Sequence, residues 1–512
     1  MTATATAGST IPDLLRARSQ EQPERAAIIM DGVKSLTFGD WERRSTAWGG
    51  VLQQIKNVKR GQCVGLFFDN HEWIEYAIAY CAVLKAGAAG VHLGPRMAAA
   101  EVQRRLDHCD VAGVIHGTSV TPPEGRGWRT DTAALESSPP ASLKIEIGPH
   151  DLADILYTSG TTGTPKGIRV SHGNHTFGRE AQVQRIFEKA GHFLGSFPTG
   201  TSSSQAMINF AFSGGPAVLV MSSFEPERIY ALIQEFHVDN LMIAPATAIE
   251  LVNTDLDRAY DVSSVRMVSS GSTYISPATT RALARIFPNA KILTHYGSSE
   301  AVPALVYAAF DPERPTSLGR PTPGTEIAIC DETGERLPAG AVGEIWLRTS
   351  APPRCYHKDP ERNARVYTDG WTHTGDLGSL DEEGCLHLFD RAADAIRCKG
   401  QPISSLQIEA ILYECPQILE AAVLGVPDPE LGQTLAAAIV LKPGASIDDF
   451  RRFIESNLTE QQMPAVIRQV ESLPRGTIWK VLKRELRGWF EPGTERGTVV
   501  TMLPQASTAG LG

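Results

Sequence analysis

Residues 157–167 read Tyr-Thr-Ser-Gly-Thr-Thr-Gly-Thr-Pro-Lys-Gly, a Gly/Ser/Thr-rich string that closes on a lysine. The chemistry open to such a string is anion binding. Glycine tolerates backbone conformations that turn several amide N–H groups toward one point, and a loop of this kind after a strand can wrap a phosphate. The hydroxyls of Thr158, Ser159, Thr161 and Thr162 add donors, and Lys166 adds positive charge. A lone glycine pattern is as readily a flexible surface loop, but this string is longer and more ordered than such a pattern. It is not a Walker loop, which needs Gly-Lys-Ser/Thr opening a helix, because Pro165 precedes the lysine here.

Such a loop needs a strand before it, and the apolar run Leu152–Leu156 supplies one. Cys63–Phe68, Val111–Ile115, Ala217–Met221 and Asn240–Ile243 are further strand candidates, and Trp73–Ala86 reads as a helix with Gly87 beyond its end. This alternation predicts parallel sheets covered by helices. Residues 117–149, with their Pro and Gly, read as an irregular surface excursion. From Glu326 to Arg348 short strands and turns such as Asp331–Glu335 predict a β-rich subdomain. Beyond an expected boundary at Asp390–Asp394, the helices Ser405–Tyr413 and Ser446–Asn457 and the strands Ile418–Val426 and Leu435–Leu441 predict a compact α+β module. The expected organisation is a disordered leader over 1–10, a large N-terminal domain over 11–391, a small C-terminal domain over 392–493 and a disordered tail over 494–512.

A chain of 512 residues is too long for one core, and 42% apolar with 21% charged residues describes a globular protein. The net charge of −10 argues against a nucleic-acid partner. No uninterrupted apolar run is long enough to span a bilayer, and Met1–Thr10 lacks the basic and apolar segments of a secretory signal. The expectation is a cytoplasmic protein without a membrane partner. The eight cysteines form no Cys-x-x-Cys pair, so they read as buried small residues rather than as a zinc site or a redox dithiol.

The loop string resembles the phosphate loop of the adenylate-forming superfamily, which holds acyl- and aryl-CoA ligases, adenylation domains and luciferases. Other segments are similar to that family's motifs in order and spacing: His295-Tyr-Gly-Ser-Ser-Glu300, Thr368-Asp-Gly-Trp-Thr-His-Thr-Gly-Asp-Leu377, Asp390-Arg391 and Pro474-Arg-Gly-Thr-Ile-Trp-Lys480. The resemblance covers roughly residues 10–490 and implies an α/β fold: a large N-terminal domain of layered α/β subdomains plus a β-rich subdomain, then a small mobile α+β domain. It implies an ATP-dependent enzyme that joins a carboxylate to the α-phosphate, with pyrophosphate leaving. Two anions must meet, so cations, a metal ion and aimed dipoles are needed.

The resemblance carries roles to individual residues. Thr158, Ser159, Gly160, Thr161, Thr162, Gly163 and Lys166 would hold the β- and γ-phosphates, and Gly271, Ser272 and Gly297 would border the nucleotide. Glu300, with the hydroxyl of Thr161 or Thr162, would hold Mg²⁺; Tyr296 would stack on or near adenine; Asp376 would accept from the ribose hydroxyls; and Arg391 would contact ribose or phosphate. Lys480 would bridge the carboxylate and α-phosphate oxygens, in a small domain that rotates between two half-reactions.

Three positions depart from the family pattern: Ala393 at the hinge with Asp394 beside it, Trp479 before the lysine, and Ser196–Ser204, where Thr201 stands near the usual gating histidine. The acid pocket is expected along Ser196–Ser204 (Ser196, Phe197, Thr201 and Ser202 foremost), Ala244–Thr247, Ser270–Thr273 and Tyr296. Small and polar residues there fit a small or aromatic acid better than a fatty acid. The acceptor stays open between a thiol (CoA or a carrier protein) and an amine or nitrite partner, as in amide ligases and diazotases. A non-catalytic nucleotide-binding module is the third reading.

Overall fold

The structure, a computed structural model, describes residues 8–500 except 126, 140, 159–165, 180–190, 214–216, 272–274, 477–479, 492 and 495. The described residues form four sheets. One runs from Arg320–Pro321 through Val306–Ala309, Lys291–Tyr296, Met267–Ser270, Asn240–Ile243, His192–Ser196, Ala217–Val220 and Ala26–Met30 to Lys34–Thr37, with parallel pairing throughout its centre. The second is ordered Cys355–Tyr356, Lys166–Ser171, Leu152–Thr158, Ala89–Leu93, Cys63–Phe67, Gly113–His116 and Trp128–Asp131. Its strands Cys63–Phe67 and Ala89–Leu93 are buried at every position, as strands covered on both faces must be.

Helix Trp73–Lys85 explains how the two sheets meet. It is apolar nearly all round, and every residue except Glu75 is buried. Its side chains join Ile28, Val218 and Val220 of the first sheet and Val64, Leu66 and Ile115 of the second in one core. Each fully buried Leu, Ile or Val here contributes about 1.5–3 kcal/mol. Gly87 ends the helix at φ +80°, where a side chain would be strained.

A third sheet pairs Thr325–Cys330, Gly343–Thr349, Trp371–Leu380, Tyr367–Thr368 and Leu386–Arg391, all antiparallel. The chain leaves it at Arg391 and enters the fourth sheet at Ile396, where Ile418–Asp428 and Gly432–Leu441 form the long central hairpin. Large layered α/β subdomains, a β-rich subdomain and a smaller α+β unit are thus the architecture, as the sequence predicted.

Three local expectations need correction. The stretch 117–149 holds the strand Trp128–Asp131, which adds in parallel to Gly113–His116, and the short helix Thr132–Glu136 capped by Asp131. Thr10 in the expected leader is buried and caps helix Ile11–Glu21 through a reciprocal pair with Asp13. Thr498–Val499 in the expected tail pair antiparallel with Arg468 and Gln469. A sheet partner orders 128–131 and 498–499, and a local capping box orders Thr10.

Candidate active site

A cleft of about 560 Å³ is lined by Lys166, Thr201, Ser202, Gly297, Glu300, Asp376, Arg391 and Lys480, among others. Strands Leu152–Thr158 and Lys166–Ser171 pair antiparallel with Thr158 opposite Lys166, so they hold the two ends of the Gly/Ser/Thr loop together. Ser159, Gly160, Thr161, Thr162 and Gly163 lie outside the described residues, as do Ser272 and Trp479, and only the backbone of Thr158 and Ser196 is described. The Lys166 ammonium lies 6.0 Å from the centre of the Tyr356 ring. Burial, reinforced by Arg362, lowers its pKa, while Glu300 opposes the shift.

Glu300 is held from two sides. Ser298 Oγ lies 2.5 Å from Oε2, and the Tyr356 hydroxyl donates to Oε1 at 2.7 Å. The turn beneath is clamped by Arg354, whose Nη1 donates to the Ser299 carbonyl at 2.7 Å and whose Nε donates to Asn174 Oδ1 at 2.9 Å. Asn174 in turn donates to the carbonyls of Val302 and Pro352. Burial pushes the Arg354 guanidinium down to about 10, which leaves it charged at neutral pH. Tyr356, Arg354 and Asn174 were not among the expected site residues, and no local motif marks them.

Across the cleft Asp376 and Arg391 are cross-strand partners of the third sheet, with Arg391 Nε 3.6 Å from Asp376 Oδ1. The Tyr296 hydroxyl donates to Asp376 Oδ2 at 3.0 Å. Burial raises the Asp376 pKa and Arg391 opposes that shift. Gly375, at φ +71°, carries the chain into this position. Lys480 arrives on a turn closed by hydrogen bonds from Gly476 N to the Lys480 carbonyl and from Leu482 N to the Pro474 carbonyl. Burial, then Arg391, pushes its ammonium down to about 8, against the pull of Asp376. A compact cation, a carboxylate and a guanidinium thus face Glu300 and Lys166 across one cleft.

The expected acid pocket divides by side-chain alternation. Thr201 and Ser202 line the cleft, but Phe197 and Ala244 are buried in the apolar core, and Ser270 is buried with its Oγ lacking a partner among the described residues. Adjacent strands align Gly195, Met242, Ser269 and Leu293 in register, so these residues lie on the face opposite Ser270. Met242, Ser269, Leu293 and His295 are only half-buried although their strands are central. Solvent therefore reaches this face, which helix Ser202–Ser213 approaches through Met207 packed on Gly195. His295 Nδ1 lies 3.2 Å from Ser269 Oγ, and its Nε2 sits over Gly271. Which face of these strands is open to solvent was not legible in the sequence.

Among the described residues no group of three His, Cys, Asp or Glu side chains could hold a metal ion by itself. No helix there is long and apolar enough to cross a membrane. The eight cysteines are free thiols.

The fold is a large α/β unit followed by a smaller α+β unit, and Lys480 of the smaller unit lines the cleft. Residues 15–357 match the family of AMP-binding enzymes, and residues 407–478 match the AMP-binding enzyme C-terminal domain. A 4-coumarate-CoA ligase of Narcissus pseudonarcissus is 27% identical, with 90% of each chain covered. A 2-succinylbenzoate–CoA ligase of Geobacillus kaustophilus is 28% identical over 95% of this chain and 99% of its own. The solved structure of the amide bond synthetase McbA from Marinactinospora thermotolerans is 27% identical, with a TM-score of 0.80 over 94% of this chain and all of that one. The protein belongs to the AMP-binding enzymes of the adenylate-forming superfamily and is an AMP-forming ligase.

Proposed function

We propose that the protein adenylates a small or aromatic carboxylic acid carrying a hydroxyl or amino substituent and passes the acyl group to a thiol. The observation that carries this reading is the convergence of Lys480, Asp376, Tyr296 and Arg391 opposite Lys166 and Glu300. One carboxylate oxygen attacks the α-phosphorus, the bond to the bridging oxygen breaks, and pyrophosphate leaves with that electron pair. The Lys480 ammonium donates to the carboxylate and α-phosphate oxygens, offsetting the repulsion of two anions. Asp376 accepts from the ribose, and Lys166 with the loop that precedes it receives the pyrophosphate. Glu300 suits Mg²⁺: each oxygen accepts one protein hydrogen bond and keeps lone pairs for a hard cation, which takes few protein ligands beside phosphate and water. Thr161 would be its companion ligand, and the ion would supply charge neutralisation at the phosphates.

The half-buried face with Ser269 and His295 supports a polar acid. Burial lowers the His295 pKa, so the imidazole is neutral, and its Nε2 has no hydrogen-bond partner among the described residues, which leaves it to pair with a substituent. His295→Phe is expected to shift kcat/KM toward unsubstituted acids by about tenfold or more, since a site built to pair a polar group rejects the analogue lacking it. Equal losses across a panel of acids would remove His295 from this role.

An amine acceptor is the second reading. It is favoured by similarity to an amide bond synthetase and by the pinned hinge, where Arg487 donates to the Ala393 carbonyl at 3.4 Å and pairs with Asp394 at 3.2 Å. The test is mass-spectrometric detection of AMP from ATP and Mg²⁺ with hydroxy- and amino-substituted aromatic and short acids. Each acid is run with CoA, a carrier protein, amines or nitrite. AMP and a thioester formed from one acid support the first reading, and AMP with an amide or a nitrite-derived product supports the second. ATP binding without AMP from any combination would overturn both.

A further inference from the structure

The strand leading into the Gly/Ser/Thr loop carries a carboxylate that the reaction does not touch. Asp154, within Leu152–Thr158, is fully buried beside the Ala89–Leu93 strand. Each of its oxygens meets an imidazole: His92 Nε2 is 2.7 Å from Oδ1, and His175 Nε2 is 2.7 Å from Oδ2. At that distance a bare ring nitrogen would repel the oxygen, so both present an N–H. The Tyr80 hydroxyl donates to Oδ2 at 2.7 Å, and Gln205 Nε2 donates to the Tyr80 oxygen at 2.9 Å and to Oδ2 at 3.4 Å. Behind His92, the Tyr76 hydroxyl lies 2.6 Å from Nδ1 and 3.2 Å from Ser204 Oγ. Behind His175, Asn209 Nδ2 lies 3.3 Å from Nδ1. Burial by itself would raise the Asp154 pKa, but hydrogen bonds from His175 and His92 outweigh it and hold the carboxyl far below its usual range.

A charge in this place is costly, and an apolar set of similar volume often packs at least as stably. What the polar set adds is direction: hydrogen bonds weaken steeply when an element slides or rotates, whereas apolar contacts tolerate such shifts. Five elements meet at Asp154: helix Trp73–Lys85 brings Tyr80 and strand Ala89–Leu93 brings His92, and the other three connect to the cleft. Its own strand ends where the phosphate-binding loop begins. Helix His172–Thr176 follows the strand on which that loop ends. Helix Ser202–Ser213 contributes Ser204, Gln205 and Asn209, while Thr201 to Ser203 at its start line the cleft. We infer that Asp154 is a positioning residue for acid adenylation, holding the acid-side wall of the cleft in register with the strands that carry the phosphate-binding loop. This rests on the cleft being the adenylation site. In-line attack needs the reacting atoms about 3–3.5 Å apart, and a displacement of about 1 Å costs on the order of 100-fold.

The test compares Asp154→Asn and Gln205→Leu with the unaltered protein. Steady-state AMP formation uses an acid that the unaltered protein turns over, AMP binding is measured by calorimetry, and amide hydrogen exchange is followed across 201–213. Asp154→Asn is expected to lower kcat about 10–100-fold, to leave AMP affinity within about threefold, and to speed exchange in 204–209. Gln205→Leu, which cuts only the helix side of the network, shifts kcat and exchange in the same direction by less. A purely structural role would instead lower melting temperature and active fraction together, with kcat per folded molecule unchanged, and that result overturns the inference. Should Asp154→Asn not fold, unchanged kcat and exchange in Gln205→Leu overturn it equally. If no acid yields AMP, the adenylation reading fails by itself, while exchange and AMP binding still report on the positioning role.

Discussion

Lys480→Ala is expected to lower AMP formation by roughly 10²–10³-fold, the usual loss when one preorganised donor is taken from a developing oxyanion. ATP affinity should fall far less, because Asp376, Arg391 and Lys166 remain. The acid and base forms of Lys480 give a second readout. Burial, aided by Arg391, sets its ammonium at about 8, so the charged form prevails below that pH and is lost as pH rises through it. Because the reaction uses the charged form, kcat/KM for adenylation should decline above pH of about 8, reporting the free enzyme. Bound phosphates raise the pKa, so the corresponding limb of kcat lies at higher pH. In Lys480→Ala the residual rate should lose this limb altogether. An alkaline limb unchanged in the variant would assign it to another group and remove Lys480 from the chemistry.

Lys483→Met, three residues on, is expected to cost roughly 3–5 kcal/mol of stability. Lys483 Nζ lies 2.7 Å from Glu409 Oε1 and donates to Ser405 Oγ at 2.6 Å, with both charged side chains largely buried. Ser405 in turn donates through N and Oγ to buried Asp390, and Glu409 Oε1 also accepts from Val423 N. Removing the ammonium leaves the Glu409 carboxylate uncompensated, which is where the cost arises. Glu409→Leu added to Lys483→Met should recover most of the loss. The measurement is denaturant unfolding followed by hydrogen exchange in 405–441, because a chain of several domains has no single unfolding free energy. A loss below about 1 kcal/mol for the single variant would show that the pair is solvated in solution. The two lysines thus separate one effect on chemistry from one on stability.

Asp154 shows why a buried polar network can stay hidden in a sequence. An acid inside the apolar run 152–157 is an anomaly that burial statistics flag, since Asp is almost never fully buried unless paired. Its partners His92 and Tyr80 lie 62 and 74 residues away; the parallel pairing of Ala89–Leu93 with Leu152–Thr158 brings His92, and the packing of helix Trp73–Lys85 brings Tyr80. Arg354 and Asn174, which clamp the turn of Glu300, are likewise separated by 180 residues.

What the sequence determined by itself was local chemistry: the Gly/Ser/Thr loop, the Tyr-Gly-Ser-Ser-Glu and Thr-Gly-Asp strings, and the α/β alternation that carries them. These were legible because backbone freedom, hydroxyl donors and hydrophobic period act between residues close in the chain. The Pro474–Lys480 string singled out Lys480, whereas only tertiary structure shows that Lys483, three residues on, is spent on Glu409. Tertiary structure also decided which face of the Met267–Ser270 and Lys291–Tyr296 strands opens to solvent. Alternation puts Ser269 and Ser270 on opposite faces in any strand, and only the packing on each side buries one of those faces and leaves the other half-open to solvent.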